Sequence, residues 1–417
     1  MCSIYGAFGN YDHSKLQEIK TLSKLRGRDA EGFTKGTMMV PSGDGPKTVP
    51  INWLIGNNRA TPTTELDNPT RLQPYDGVVH NGTIANDKEL GNPPGAVDSE
   101  IIPKVLDRTS IRSVATSLGK LKGSYALAIV GEHDMYLAAN YKPLYYYASI
   151  TPGATCIYFA SLAQFLDPVV EIGHRPCKLE PYTVLSLSTL QSEPIPRIIN
   201  ERCLAIASAG LDSTVAAKWM QTQGYEVELL HFQYGCKAED NEVSRIKAIA
   251  ERMGTKVHFL PLGYSAMAGN SPLLQKDDNI AGGLAGAEYA HEWVPARNLV
   301  MLSLAVAFAE ANNFSHLCLG TNLEESGAYP DNEGEFINLF NQLLPNAVNE
   351  GNYVRVHQPV GHLMKHEIVK LGAYIRAPMD LTWSCYRNGD THCGQCGPCF
   401  MRKTAFDRNG IDDPAFT

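Results

Sequence analysis

Hydrophobic and polar positions alternate in short runs through the first half of the chain. LKGSYALAIV (121–130), MYLAAN (135–140), TCIYFA (155–160) and TVLSLSTL (183–190) each read as a strand bounded by turn residues. Around QSEPIPRIINER (191–202) the chain becomes polar and proline-bearing, and the rhythm then changes. CLAIA (203–207), VELLHF (227–232), KVHFLPL (256–262) and HLCLG (316–320) are short apolar runs that predict strands. Between them, DSTVAAKWMQTQG, EDNEVSRIKAIAERMG and ARNLVMLSLAVAFAEANN carry helical patterns. Strands alternating with helices imply a parallel sheet with right-handed crossovers. The pattern therefore predicts a two-domain α/β and α+β protein, with domains at 1–195 and 200–417.

Composition narrows the class. The chain has 417 residues, of which 44% are hydrophobic and 19% charged, as in an ordinary globular protein. No apolar run approaches the roughly 20 residues needed to cross a bilayer, so no membrane partner is expected. The start lacks the basic and apolar regions of a secretory signal. A cytoplasmic location is expected, with the ten cysteines free, catalytic or metal-bound rather than paired. Net charge is −8 and no Lys/Arg-rich run is present, which disfavours tight non-specific nucleic-acid binding. It does not remove tRNA or DNA as a substrate. A homo-oligomer is expected.

The opening MCSIYGAFG places Cys2 behind the initiator methionine. Trimming of that methionine would leave a thiol beside an α-amino group of pKa roughly 7.7–8.0, a nucleophile with its own base. Downstream, RGRDAEG holds a tight turn between Gly27 and Gly32. GNNRATPTTE offers the planar guanidinium of Arg59, suited to a carboxylate. HNGTIAND pairs the Asn81 amide with the Gly82 N–H, donors suited to an oxyanion. Asp98 in VDSE is suited to an ammonium group. An arginine for a carboxylate and an aspartate for an amine shape a site for an α-amino acid.

These stretches, with KGSYALA and AANYKPLYYY, resemble the class II (N-terminal nucleophile) glutamine amidotransferase domain over residues 2–195. The resemblance implies a four-layer αββα Ntn-hydrolase sandwich. It also implies Cys2 as nucleophile, Asn81 and Gly82 as the oxyanion hole, and Arg59 and Asp98 on glutamine, the nitrogen donor. Asn58 stands where many relatives have histidine or threonine and is assigned no role. Such a domain releases glutamate and ammonia, and needs a sheltered acceptor for the ammonia.

In the second half, SAGLDST at a strand-to-helix turn makes an anion site from backbone N–H groups, hydroxyls and a helix N-terminus. It resembles the PP-loop, SGGxDS, of adenylating enzymes, with Ala209 in place of the first glycine. A methyl group there is either tolerated or crowds the backbone approach to pyrophosphate, and the sequence leaves this open. Near the end, Cys385, Cys393, Cys396 and Cys399 are spaced C-x7-C-x2-C-x2-C. Four thiolates suit a closed, structural tetrahedral Zn²⁺ site, preferred here over an iron–sulfur cluster.

FQYG, VPARN, GTNLEESGAYPDNEGEF, LMKHEIVKLG, TWSCYRNG and AFDRNGIDDP resemble the 7-cyano-7-deazaguanine synthase (QueC) family over residues 202–417. The resemblance implies a Rossmann-like PP-loop domain with a zinc knuckle. Ser208, Gly210, Asp212 and Ser213, with Lys365, would bind ATP and its Mg²⁺. Arg297, Asn298, Tyr329 and Asp331 would line the acceptor site. Asn332 and Glu333 replace a Cys-Arg pair of that family, and Cys236, Lys237 and Ala238 replace a Gln-Arg-His run. If the replaced arginine meets the substrate carboxylate, an acid at 333 disfavours a carboxylate substrate, and an acceptor different from that family's is expected.

The fused arrangement resembles the GAT-QueC family, linked to archaeosine formation and to deazaguanine-modified viral DNA. It implies ammonia passing by a tunnel to 7-cyano-7-deazaguanine, as free base or within tRNA or DNA, to give a formamidine. The alternative is a glutamine-fed synthase of 7-cyano-7-deazaguanine acting on the carboxylate with ATP. Adding ammonia to a nitrile needs no adenylation, so an intact PP-loop favours a carboxylate or amide route, or a structural role for ATP. A non-catalytic nucleic-acid module would leave Cys2, Arg59, Asn81 and Asp98 without purpose, and an asparagine-synthetase relative would lack the knuckle.

Overall fold

The computed structural model describes residues 2–41, 48–60, 72–151, 154–263, 271–274, 280–284, 292–326, 329–349 and 352–416. The chain divides into two compact units, Met1–Arg197 and Ile198–Thr417.

The first unit is built from β1 (Ser3–Gly9), β2 (Ala30–Pro41), β3 (Thr48–Arg59), β4 (Val78–Ile84), β5 (Gly123–Val130), β6 (Met135–Ala139), β7 (Tyr145–Thr151), β8 (Ala154–Ala160), β9 (Cys177–Lys178), β10 (Thr183–Ser186) and β11 (Ser192–Pro194). They form two sheets, ordered β2-β3-β1-β8-β7-β9 and β11-β10-β6-β5-β4, with antiparallel pairing throughout. Alternation along each strand gives every sheet two faces. Ile4, Phe8, Ile55 and Phe159 of the first sheet meet Val79, Ala126, Leu137 and Leu185 of the second in one buried core. On the outer face of the first sheet, Tyr5 and Ala7 pack with Leu16 and Ile19 of α1 (His13–Ser23). On the outer face of the second, Tyr125 and Leu127 pack with Ile102 of α2 (Ile102–Val105) and Val114 and Leu118 of α3 (Ile111–Leu118). The result is the αββα sandwich that the resemblance implied.

The second unit carries β12 (Arg202–Ile206), β13 (Glu226–Gln233), β14 (Val257–Pro261), β15 (His316–Leu319) and β16 (Arg355–His357), all parallel, in the order β14-β13-β12-β15-β16. Cys203 and Ala205 face α4 (Leu211–Thr222) and α5 (Glu239–Met253). Leu204 faces the other way, onto α6 (Arg297–Ala311). Two covered faces explain why these strands read as continuous apolar runs. Order reverses around β12, so a crevice forms at the carboxyl ends of β12, β13 and β15, the usual ligand position in such sheets. Four short helices complete the unit: α7 (Leu323–Ser326), α8 (Gly334–Leu343), α9 (Lys365–Tyr374) and α10 (Gly397–Arg408). Among the described residues no helix is long and apolar enough to cross a membrane.

Candidate functional sites

In the first unit, the β1–β3 register pairs Ser3 with Asn58 and so carries Cys2 alongside Arg59. The Cys2 thiol lies 3.7 Å from the Ala60 carbonyl. Alternation directs Asn81 toward the inter-sheet side, as it does Val79, while His80 and Gly82 take the opposite face of β4. Asn81 donates through Nδ2 to Ser161 Oγ at 3.4 Å, and Ser161 Oγ also accepts the Ile4 N–H at 2.9 Å. One hydroxyl thereby ties Asn81 to the strand that begins beside Cys2. Asn57 joins β3 to β4 through the His80 carbonyl at 3.1 Å.

Gly82 is required sterically. A Cβ there would lie 1.8 Å from the Ser124 carbonyl oxygen and 2.8 Å from His80 Nε2. Asp98 accepts the Ile84 N–H at 2.6 Å through Oδ2 and the Ser99 hydroxyl at 3.3 Å through Oδ1. Ser99 also meets His80 Nδ1 at 2.8 Å, and burial lowers the pKa of His80 so that it stays neutral. Asp98, Ser99 and His80 thus form a polar network against β4, Ser161 ties Asn81 to the strand that follows Cys2, and the β1–β3 register sets Cys2 beside Arg59. Sequence reading missed Ser161 and Arg26. Burial lowers the Arg26 pKa, and its electrostatic interaction with Cys2 opposes that effect.

In the second unit, a cavity of about 240 Å³ occupies the crevice. Ser208, Gly210, Asp212 and Ser213 line it, together with Lys365, Arg297 and Asn298. Gly210 caps α4 without any side-chain hydrogen bond, which leaves the N–H groups of the first turn for an anion. The Ser208 and Ser213 hydroxyls stand 3.5 Å apart at the same mouth. Gly320 permits this close packing, because a Cβ there would lie 2.3 Å from Ser213 Cα. Ala209 adopts φ +61°. Its methyl joins the apolar core under the sheet instead of lining the cavity, and its carbonyl accepts the Trp383 N–H at 2.8 Å. Of the two outcomes open for this methyl, its place in the core favours the one in which it is tolerated.

Lys365 bridges two carboxylates, Asp212 and Glu325, the latter at 3.2 Å. Burial opposes the Lys365 charge, but Asp212 and then Glu325 outweigh it and raise its pKa. Asn322 donates to Asp212 Oδ2 at 3.2 Å. Asp212 Oδ1 is buried and has no hydrogen-bond partner among the described residues. An orphaned carboxylate oxygen beside a second carboxylate suits a hard divalent cation such as Mg²⁺.

Tyr329 and Asp331 are not among the described residues lining the cavity. Asp331 instead caps the Asn298 N–H at 3.2 Å, and Tyr329 stacks on Trp293 at 6.1 Å between ring centres. Glu333 is exposed at the N-cap of α8 and is not among the described residues lining the cavity. The cavity adds Tyr234, Glu242, Glu325, Trp383 and Tyr386, which the sequence reading did not single out, and Cys236, which it noted only as a departure from the family pattern. Glu325 lies within the GTNLEES stretch and Glu242 follows FQYG; their position after strand ends is the signal that could have found them.

The sulfur atoms of Cys385, Cys393, Cys396 and Cys399 all lie within 4.8 Å of one another. A tetrahedral Zn²⁺ with Zn–S near 2.3 Å requires S···S separations of about 3.8 Å, and two pairs stand at 4.0 Å. Backbone N–H groups of Arg387 and Cys393 point at Cys385 Sγ at 3.4 and 3.5 Å, and that of Cys396 at Cys393 Sγ at 3.4 Å. These donors suit thiolates, so the four residues form a group able to hold a metal ion.

Residues 202–410 match the family model described as queuosine biosynthesis protein QueC, and residues 73–168 match a glutamine amidotransferase domain. A 7-cyano-7-deazaguanine synthase of Sulfolobus acidocaldarius is 40% identical over 99% of each chain. The 7-cyano-7-deazaguanine synthase 2 of Sulfurisphaera tokodaii is likewise 40% identical over 99% of each. A synthase of the same name from Methanothrix thermoacetophila is 38% identical and matches 51% of this chain with 97% of its own length. By this full-length likeness and the two matched domains, the chain belongs to the QueC family, in the form that joins a glutamine amidotransferase domain to the QueC domain.

Proposed function

We propose that the protein is a glutamine-dependent 7-cyano-7-deazaguanine synthase. The observation that carries this reading is the intact anion loop opening into the same cavity as Lys365, Asp212 and Arg297. A nucleotide-activating site is needed only if an oxygen must leave the acceptor. A carboxylate on 7-deazaguanine has that requirement twice, first on conversion to an amide and again on conversion to the nitrile. Each activation transfers AMP to the acceptor oxygen and releases pyrophosphate. Ammonia attacks the first adenylate, and loss of the second gives the nitrile. The full-length relatives' printed names support this product.

In this reading the N–H groups of the first turn of α4 and the hydroxyls of Ser208 and Ser213 hold the ATP phosphates. Lys365 neutralises charge on the departing pyrophosphate. Asp212 and Glu325 are the carboxylates that would hold Mg²⁺, which supplies charge neutralisation to the triphosphate. Arg297 and Asn298 bound the acceptor end. In the first unit, Cys2, freed as the terminal residue, attacks the glutamine carboxamide with its α-amino group as base. Asn81 and the Gly82 N–H stabilise the oxyanion, while Arg59 and Asp98 hold the two ends of glutamine. Cys385, Cys393, Cys396 and Cys399 hold Zn²⁺ as a closed structural site. The net charge of −8 favours a free base over a polymer as acceptor.

A second reading, formamidine synthesis from 7-cyano-7-deazaguanine free or in tRNA or DNA, draws on one observation. The Methanothrix synthase has the same printed name without a counterpart to the first half of this chain, so the amidotransferase unit is an addition to that activity. The two readings divide in one experiment with amide-¹⁵N glutamine. Labelled nitrile from 7-carboxy-7-deazaguanine, with AMP and pyrophosphate, is expected. A labelled amidine from the nitrile, with no turnover of the carboxylate, would install the second reading.

A further inference from the structure

We infer that Glu242 is the residue that selects a guanine-type base, accepting hydrogen bonds from its N1–H and 2-amino group. This rests on the proposed 7-deazaguanine acceptor and adds to it a recognition residue outside the anion loop.

Glu242 sits in the first turns of α5 and lines the cavity. Among the described residues the one hydrogen-bond partner of its carboxylate is the Cys236 thiol, at 3.8 Å. That contact is long and weak, so the carboxylate, on a half-buried residue that lines the cavity, keeps most of its acceptor capacity for a ligand. Burial lifts its pKa to about 7. Such a group is costly unless a ligand supplies donors. Two parallel N–H donors on one planar edge match the two oxygens of a carboxylate.

The neighbouring charge completes the pattern. Arg297 lies near enough that its charge lowers the Glu242 pKa against burial. It also donates to the Tyr234 hydroxyl at 3.3 Å. A cationic donor beside an anionic acceptor pair mirrors the guanine edge, which presents a 6-oxo acceptor and then two donors. Adenine presents a donor and then an acceptor, so its ring nitrogen would face the carboxylate lone pairs. The pattern thus assigns Glu242 to the acceptor base and not to ATP.

The test measures binding of 7-carboxy-7-deazaguanine and of its 2-desamino analogue to the full-length, zinc-loaded protein by calorimetry. Wild type is expected to prefer the 2-amino compound by about 10–100-fold, the range for a lost hydrogen bond to a charged group. Glu242→Gln is expected to reduce that preference below about threefold, with the KM for ATP changed less than about twofold. If Glu242→Gln loses its cooperative melt, Glu242→Asp replaces it, and a fall of at least about fivefold in the preference is expected. An unchanged preference in a folded variant overturns the inference and leaves the proposed function standing. A large rise in the ATP KM with unchanged preference also overturns it, by giving the carboxylate to the nucleotide. Failure of wild type to bind either base overturns both readings together.

Discussion

Ala209 shows how one residue's meaning depends on where its side chain goes. At the sequence level an alanine in a glycine position leaves open whether the anion loop is crowded. In the fold the residue does adopt a left-handed conformation, φ +61°, which costs an L-residue about 1–2 kcal/mol. The Trp383 N–H and the core around its methyl hold it there. Ala209→Gly should therefore relieve strain while losing about 0.4–1 kcal/mol through the freer unfolded chain. Net stability should shift by less than about 1 kcal/mol, and the ATP KM by less than about threefold. Denaturant melts and steady-state kinetics check this; a tenfold fall in KM would mean that the methyl does obstruct the nucleotide. At the same scale, Cys2, Arg59 and Asn81 could be proposed from the sequence because residue type and local motif suggest their chemistry. Ser161, which ties Asn81 to β1, lies 80 positions away, and nothing in SLAQF marks it.

At the scale of elements, the cysteine knuckle and the anion loop are one mechanical system. Trp383 clusters with Cys385, Cys396 and Cys399 and donates to Ala209. Arg402 of α10 is fully buried. It pairs with Asp413 at 2.9 Å and donates to the Thr382 hydroxyl at 2.6 Å, fixing the segment on either side of Trp383. Chelation of the metal should therefore weaken ATP binding by at least tenfold and lower the thermal midpoint by several degrees. Calorimetry before and after chelation measures both; unchanged ATP affinity in metal-free protein would uncouple them.

A second element-level device lies at the β15–β16 edge. His316 Nδ1 and His357 Nε2 are 3.0 Å apart. Burial, then His316 and Arg355, push the His357 pKa down to about 4 from 6.5. Because the unfolded chain binds this proton more readily, stability is full above pH 6.5 and falls as pH drops toward 4. With the ring partly solvent-screened, about 1–2 kcal/mol is at stake. Urea melts at pH 7 and pH 4.5 should show this loss in wild type and a smaller one in His357→Gln; equal slopes would remove His357 as the cause.

At the scale of the whole molecule, each unit buries its own core, and the chemistry proposed for them is linked by ammonia alone. Cys2→Ala should abolish glutamine-supported product by more than about 10³-fold, as expected for loss of a nucleophile. With ammonium salts supplied, the same variant should retain acceptor turnover within about threefold of wild type. Loss of both activities would place Cys2 in the fold of the enzyme and not in nitrogen supply alone.

What the sequence determined by itself was the set of local, repeating signals. Alternation and strand–helix rhythm predicted the two architectures, and motifs with fixed spacing, such as the four cysteines and SAGLDST, announced their chemistry. Only the tertiary structure decided which residues share a cavity. It admitted Arg297 and Asn298, left Tyr329 and Asp331 outside the described lining, turned Glu333 to the surface and brought in Glu242, Glu325 and Trp383. The reason is physical. A motif fixes a backbone turn over a few residues, whereas the Lys365–Asp212 pair spans 153 positions, and such contacts exist only once the sheet has set the ends of its strands side by side.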